Sequence, residues 1–83
     1  MVNDIENSVR NYVLEQFVYD EDTANTLTNE TPLIDNGIVD SFGVLSIIEF
    51  LESEYGIQIA DEEVVPQNMG TIGGITRLVE RKT

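Results

Sequence analysis

The 83-residue chain contains no cysteine and no histidine, and its only basic side chains are Arg10, Arg77, Arg81 and Lys82. Without cysteine there is no disulfide staple and no thiolate metal site, so any thiol chemistry must be brought in from outside. Without histidine the usual imidazole base is missing, and the sole lysine, Lys82, stands near the C-terminus. A hydrolytic serine triad therefore has nothing to take its proton. No apolar run approaches the length of a membrane span, and the opening MVNDIENSVR lacks the basic start and apolar core of a secretory signal. The location expected from these features is cytoplasmic.

What is present is acid. Sixteen acidic residues leave a formal charge of -12 and a pI near 4.1, which repels phosphate backbones and anionic lipid heads and favours partners with basic patches. Nucleic acid and membrane surfaces are thus excluded as expected partners, and a monomer is expected from the same self-repulsion. Hydrophobic residues make up 41% of the chain in periodic groups, which argues for a folded protein rather than an acidic tail. A chain this short buries too little surface for two cores, so residues 1–83 are read as one domain.

Ile5, Val9, Tyr12, Val13 and Phe17 recur at helical spacing, with Asn3 as the expected cap of this first helix and Glu6 completing a capping-box pattern. The polar segment YDEDTANTLTNETPLIDNGIVD then reads as a long loop, pinned to the core by Leu33, Ile34, Ile38 and Val39 and punctuated by Pro32 and Gly37. It is not an EF-hand: counting from Asp20, Ala24, Asn25 and Thr31 fall where ligands and the turn glycine are required, and no metal site is expected. From Ser41 to Tyr55 the helical period returns, with Val44, Ile48, Leu51 and Tyr55 as the predicted core stripe and Ile47 and Phe50 beside it. Phe42, Leu45 and Glu49 point away from that stripe, free for a partner unless the long loop folds over them.

Gly56 is the expected C-cap of this helix, and IQIA places Ile57 and Ile59 on one side of an extended link. Asp61 is expected to cap a brief helix ending at Pro66. Thr71 is expected to cap a last helix with Ile72, Ile75, Leu78 and Val79 inside and Arg77, Arg81 and Lys82 near its end. Gly73 and Gly74 weaken that helix unless a neighbour packs close. The fold class is all-α: a small four-helix bundle, three main helices plus one short, with a long loop between helices 1 and 2.

Asp40-Ser41 opens the second helix, and the ordinary role of either side chain there is capping. In this context the pair means more. Residues Thr31 to Glu80, TPLIDNGIVDSFGVLSIIEFLESEYGIQIADEEVVPQNMGTIGGITRLVE, resemble the body of an acyl or peptidyl carrier protein of the freestanding type. The specific part is the ordered set: DSF opening a helix, FLESEYG closing it, then IQIADEE and a further amphipathic segment.

The resemblance implies that Ser41 is the attachment serine for 4'-phosphopantetheine, donated by coenzyme A, with Asp40 before it and Phe42 in the place of a more usual leucine. It further implies that acyl or aminoacyl cargo rides as a thioester on that arm, and that the chain is a substrate of other enzymes rather than an enzyme. Partners would be a phosphopantetheinyl transferase, an adenylating ligase or acyltransferase, and downstream biosynthetic enzymes. Asp40, Phe42, Leu45, Glu49 and Glu52 would form the recognition surface. Gly43 and Ser46 stand where fatty-acid carriers usually show acidic residues, which favours carriers of specialised pathways, and DEEVVPQNMGTI leans the same way. The competing class is an unmodified acidic helical adaptor binding a basic partner through the same helix.

Overall fold

A computed structural model describes residues 4–83. The expected cap at Asn3 lies outside the described residues. The first helix, α1, runs Asp4–Phe17 and buries Val9 and Val13, as its periodicity predicts. The main helix that follows Asp40 is α3, Ser41–Tyr55, and the last is α5, Ile72–Lys82. These three are the expected long helices, and α1 packs against both of the others.

The connection after α1 is more structured than a loop. A six-residue helix, α2, spans Glu21–Thr26 and buries none of its residues, so hydrophobic periodicity could not mark it. Its start is set by Asp20, whose carboxylate accepts hydrogen bonds from the amide and the hydroxyl of Thr23, both at 2.9 Å. Those bonds hold the Asp20 carboxyl below its ordinary value.

Beyond α2, Leu27, Leu33 and Val39 enter the core and tie the segment down. Ile38 is half-buried, but Ile34, expected as a further anchor, is 46% exposed. The Leu33 carbonyl accepts amide hydrogen bonds from Ile38 and Val39, and the turn this closes carries Ile34 outward. Arg10 of α1 holds the same connection by donating to the Leu27 carbonyl at 3.1 Å and to the Asn29 side chain. The Asn29 carbonyl in turn accepts the Gly73 amide at 2.8 Å, so this small polar knot links α1, the connection and α5.

Gly56 ends α3 with φ of 64°, the left-handed backbone that favours glycine at a C-cap. Ile57 and Ile59 then pack against the core from an extended link, as expected. The short third helix is divided differently from the expectation. Asp61–Glu63 forms one 3-10 turn, in which Asp61 is a member rather than the cap, and the Glu63 carboxylate accepts the Ala60 amide instead. Pro66 does not end a helix but opens one, α4, Pro66–Met69. Proline suits a first helical position because the amide it lacks would have no intrahelical partner there.

Thr71 caps α5 as predicted, its hydroxyl accepting the Gly74 amide at 2.9 Å. A Cβ on Gly74 would lie 2.7 Å from the Gln67 carbonyl oxygen. The glycine that weakens α5 in isolation is what lets it close on α4. The core gathers Val9, Val13, Ile47, Leu51, Met69 and the four apolar residues of α5 with the three anchors of the connection.

Candidate functional site

The site is built at the start of α3. Asp40 has extended backbone and its carboxylate accepts the Gly43 amide at 2.8 Å, while its carbonyl accepts the Val44 amide. Capping therefore belongs to Asp40. Ser41, the first helical residue, is exposed, and its hydroxyl makes no hydrogen bond with any described residue. It sits at the positive end of the helix dipole, where a phosphoryl group is electrostatically favoured. The chain has no histidine, and Lys82, the only lysine, is engaged with Glu63 at 2.7 Å on the far end of α5.

The core stripe of α3 is displaced from the predicted one. Its fully buried residues are Gly43, Ile47 and Leu51, so Ile47 is central rather than flanking, and Val44, Ile48 and Tyr55 are half-buried. The cause is Gly43. A Cβ there would lie 2.8 Å from a Val39 methyl and 2.9 Å from the Phe17 ring, so α3 packs tightly against Val39 and the end of α1 at a residue that an apolar count overlooks.

Rotating the stripe towards Gly43 brings Val44 to the edge of an open groove of about 390 Å³. Ile34, Val44, Leu45, Val64, Val65, Pro66 and Met69 line it, and Ser41 stands on its rim. Apart from the serine, every lining residue is apolar. Sequence reasoning missed most of these residues because Ile34, Val64 and Val65 lie in connections, where helical periodicity has no meaning. The larger cleft of about 480 Å³, lined by Asn29, Thr71, Arg77 and Glu80 among others, contains none of the residues around Ser41.

Phe42 and Leu45 are 80% and 58% exposed, and Glu49 is exposed. The connection does not fold over them. Glu52, expected on the same surface, is half-buried, and its carboxylate accepts the Ile59 amide at 2.9 Å. It holds the extended link, one turn beyond Glu49 on α3. Among the described residues no helix is long and apolar enough to cross a membrane.

The described residues thus form a helical core with an exposed serine at a helix start, beside an apolar groove. No protein-family model matches the chain. The probable acyl carrier protein PigG of a Serratia species is 31% identical over 77 residues, covering 93% of this chain and 86% of that protein. The acyl carrier protein of Thermotoga maritima is 28% identical over 79 residues, covering 95% and 91%. A chain in the crystal structure of an FAD-dependent dehydrogenase superposes with a TM-score of 0.67 at 24% identity, over 90% of this chain and 97% of that one, a likeness of fold. The protein belongs to the acyl carrier protein family. It is a carrier and not an enzyme.

Proposed function

We propose that Ser41 is the attachment point for 4'-phosphopantetheine, transferred from coenzyme A by a phosphopantetheinyl transferase. The observation that supports this most directly is the division of labour at the start of α3: Asp40 satisfies the helix amide, which leaves the exposed Ser41 hydroxyl without a structural task. When bound, the group supplies a flexible arm ending in a thiol, on which acyl or aminoacyl cargo is held as a thioester. The chain's own residues do the rest. The amides at the start of α3 favour the negative charge of the phosphodiester, and the groove from Val44 to Met69 offers apolar surface beside the attachment point.

The benefit is one of effective concentration. Cargo tethered to the carrier meets each enzyme without diffusing away between steps. Asp40, Phe42, Leu45 and Glu49 form the docking surface in this reading, with an adenylating ligase or acyltransferase and later biosynthetic enzymes as the partners. A charge of -12 on the chain suits contact with basic surfaces that form and release quickly.

The test is intact-mass measurement after incubation with coenzyme A and a broad-specificity transferase. Wild type gains one phosphopantetheine and Ser41→Ala gains none, while the circular dichroism of the variant is unchanged because Asp40 still caps the helix. A wild type left bare under conditions that fully convert a control carrier would favour the unmodified adaptor.

A further inference from the structure

The corner where the end of α1 meets the start of α3 holds a second groove, used neither by the apolar groove beside Ser41 nor by Leu45 and Glu49. Tyr19 and Phe42, 89% and 80% exposed, both line it, and Phe17, Ile38, Gly43 and Asp40 contribute to the same cavity of about 350 Å³. Tyr19 is not a loose side chain: its hydroxyl donates to the Gln16 carbonyl at 2.9 Å. Phe17 is fixed edge-on against Tyr12, with ring centroids 6.1 Å apart. An aromatic surface held in place before binding loses little freedom when a partner arrives, and two bared aromatics at one groove are what interfaces use and monomers avoid.

Charge selects the occupant. Asp40 lines the groove, and the exposed Asp20, Glu21 and Asp22 follow directly after Tyr19. The basic side chains are all elsewhere: Arg10 holds Leu27 and Asn29, Arg81 donates to Asn68, Lys82 pairs with Glu63, and Arg77 lines the cleft with Glu80. A second copy of this chain would set -12 against -12 at this face. A purely apolar side chain would cover the rings but strip water from Asp40 without replacing it. A guanidinium meets every demand, since it stacks flat on an aromatic face and pairs with a carboxylate.

We propose that Tyr19 and Phe42 form an aromatic clamp for an arginine side chain of the phosphopantetheinyl transferase, which enters beside Asp40. The inference rests on the reading that Ser41 is modified, because the transferase is the enzyme that must reach the Ser41 oxygen between Asp40 and Phe42. The clamp extends the docking surface off α3 onto the end of α1.

The experiment uses the full-length apo protein as the varied substrate of a broad-specificity transferase with coenzyme A, read by mass as kcat and KM. Tyr19→Ala raises KM about tenfold with kcat nearly unchanged, the size of a modest interface hot spot. Tyr19→Leu does the same, since it keeps apolar bulk but has no ring face, and Tyr19→Phe, which keeps the ring but loses the bond to Gln16, falls between Tyr19→Ala and wild type. Circular dichroism confirms that all three are folded. A KM for Tyr19→Ala within about twofold of wild type overturns the proposal. So does a Tyr19→Leu variant with wild-type KM, which would assign the groove to an apolar side chain. A wild-type dimer in sedimentation that Tyr19→Ala dissolves would assign it to a second copy and overturns it as well. Failure of the underlying reading looks different: the wild type itself gains no mass, and the clamp falls with it.

Discussion

Helices α3 and α5 both carry apolar residues at helical spacing, yet they use them differently. In its 11 residues α5 buries Ile72, Gly74, Ile75, Thr76, Leu78 and Val79. The 15 residues of α3 bury only Gly43, Ile47 and Leu51, and Phe42 and Leu45 are left in solvent. Burial in α5 follows one stripe with charge on its back. In α3 the core needs one stripe and the sequence supplies two, so the surplus becomes surface. Periodicity thus reports how many apolar faces a helix has, and only packing shows which of them is covered.

The sharpest way to break this contrast is to truncate one residue from each class. Ile75→Ala removes a side chain with 0% exposure and is expected to cost about 2 to 5 kcal/mol, a large share of the roughly 5 to 15 kcal/mol that holds a small domain together. Leu45→Ala is expected to change stability by no more than about 0.5 kcal/mol while slowing loading by a partner enzyme. Urea denaturation reads the first effect and cargo-loading kinetics the second. If Leu45→Ala destabilised as much as Ile75→Ala, the second face of α3 would be core after all.

Gly43 marks the boundary between the two faces. Alanine is ordinarily better than glycine in a helix by about 1 kcal/mol, but here the new Cβ would meet Val39 and the Phe17 ring at 2.8 and 2.9 Å. Crowding should win, and Gly43→Ala is expected to destabilise by about 1 to 3 kcal/mol in urea. This also gives a physical account of one departure from the fatty-acid carrier pattern. An acidic side chain two places after the serine has no room, because Val39 and the Phe17 ring already occupy the space. A neutral or stabilising Gly43→Ala would mean that Phe17 yields freely and that the glycine has some other cause.

How far the sequence could be read follows from the same physics. In α1 and α5 one apolar stripe faces one core, so Val9, Val13, Ile72, Ile75, Leu78 and Val79 were legible directly. In α3 the buried glycine added nothing to the apolar pattern and pulled the predicted stripe one residue off, towards Val44. The short α2 is invisible to periodicity because nothing in EDTANT is buried; Asp20, three residues before Thr23, and the acidic Glu21 and Asp22 of the first turn are its local signs. In the sequence Pro66 reads as a stop, although proline serves equally as a start. At the site, Asp40 and Ser41 were legible as a pair that caps or carries, but the split between them needed geometry: the carboxylate takes the Gly43 amide and the hydroxyl is left over. Glu52 and Glu49 look alike in the sequence, and only geometry distinguishes them, because the Glu52 carboxylate accepts the Ile59 amide.

The smallest expected effect concerns how the two helices end. No basic residue stands in the last turn of α3, which is closed by Gly56, whereas Arg81 and Lys82 complement the dipole of α5. Lys82 also reaches Glu63 at 2.7 Å, and this bond, helped by the Ala60 amide, holds the Glu63 carboxyl below its ordinary 4.5. A group whose folded value is depressed adds stability above its unfolded value and loses it as pH falls through the folded one. Glu63→Gln should therefore melt slightly below wild type at neutral pH, by a margin that closes as the pH drops from 4.5 downward. Thermal melts of both proteins across that range, at low salt where a half-buried pair near the surface is least screened, provide the check. A Glu63→Gln protein that melted together with wild type across the whole range would mean that Glu63 acts through its hydrogen-bonding shape, which glutamine keeps, and not through charge. In that case the dipole-complementing end of α5 would be no better secured than the glycine-capped end of α3.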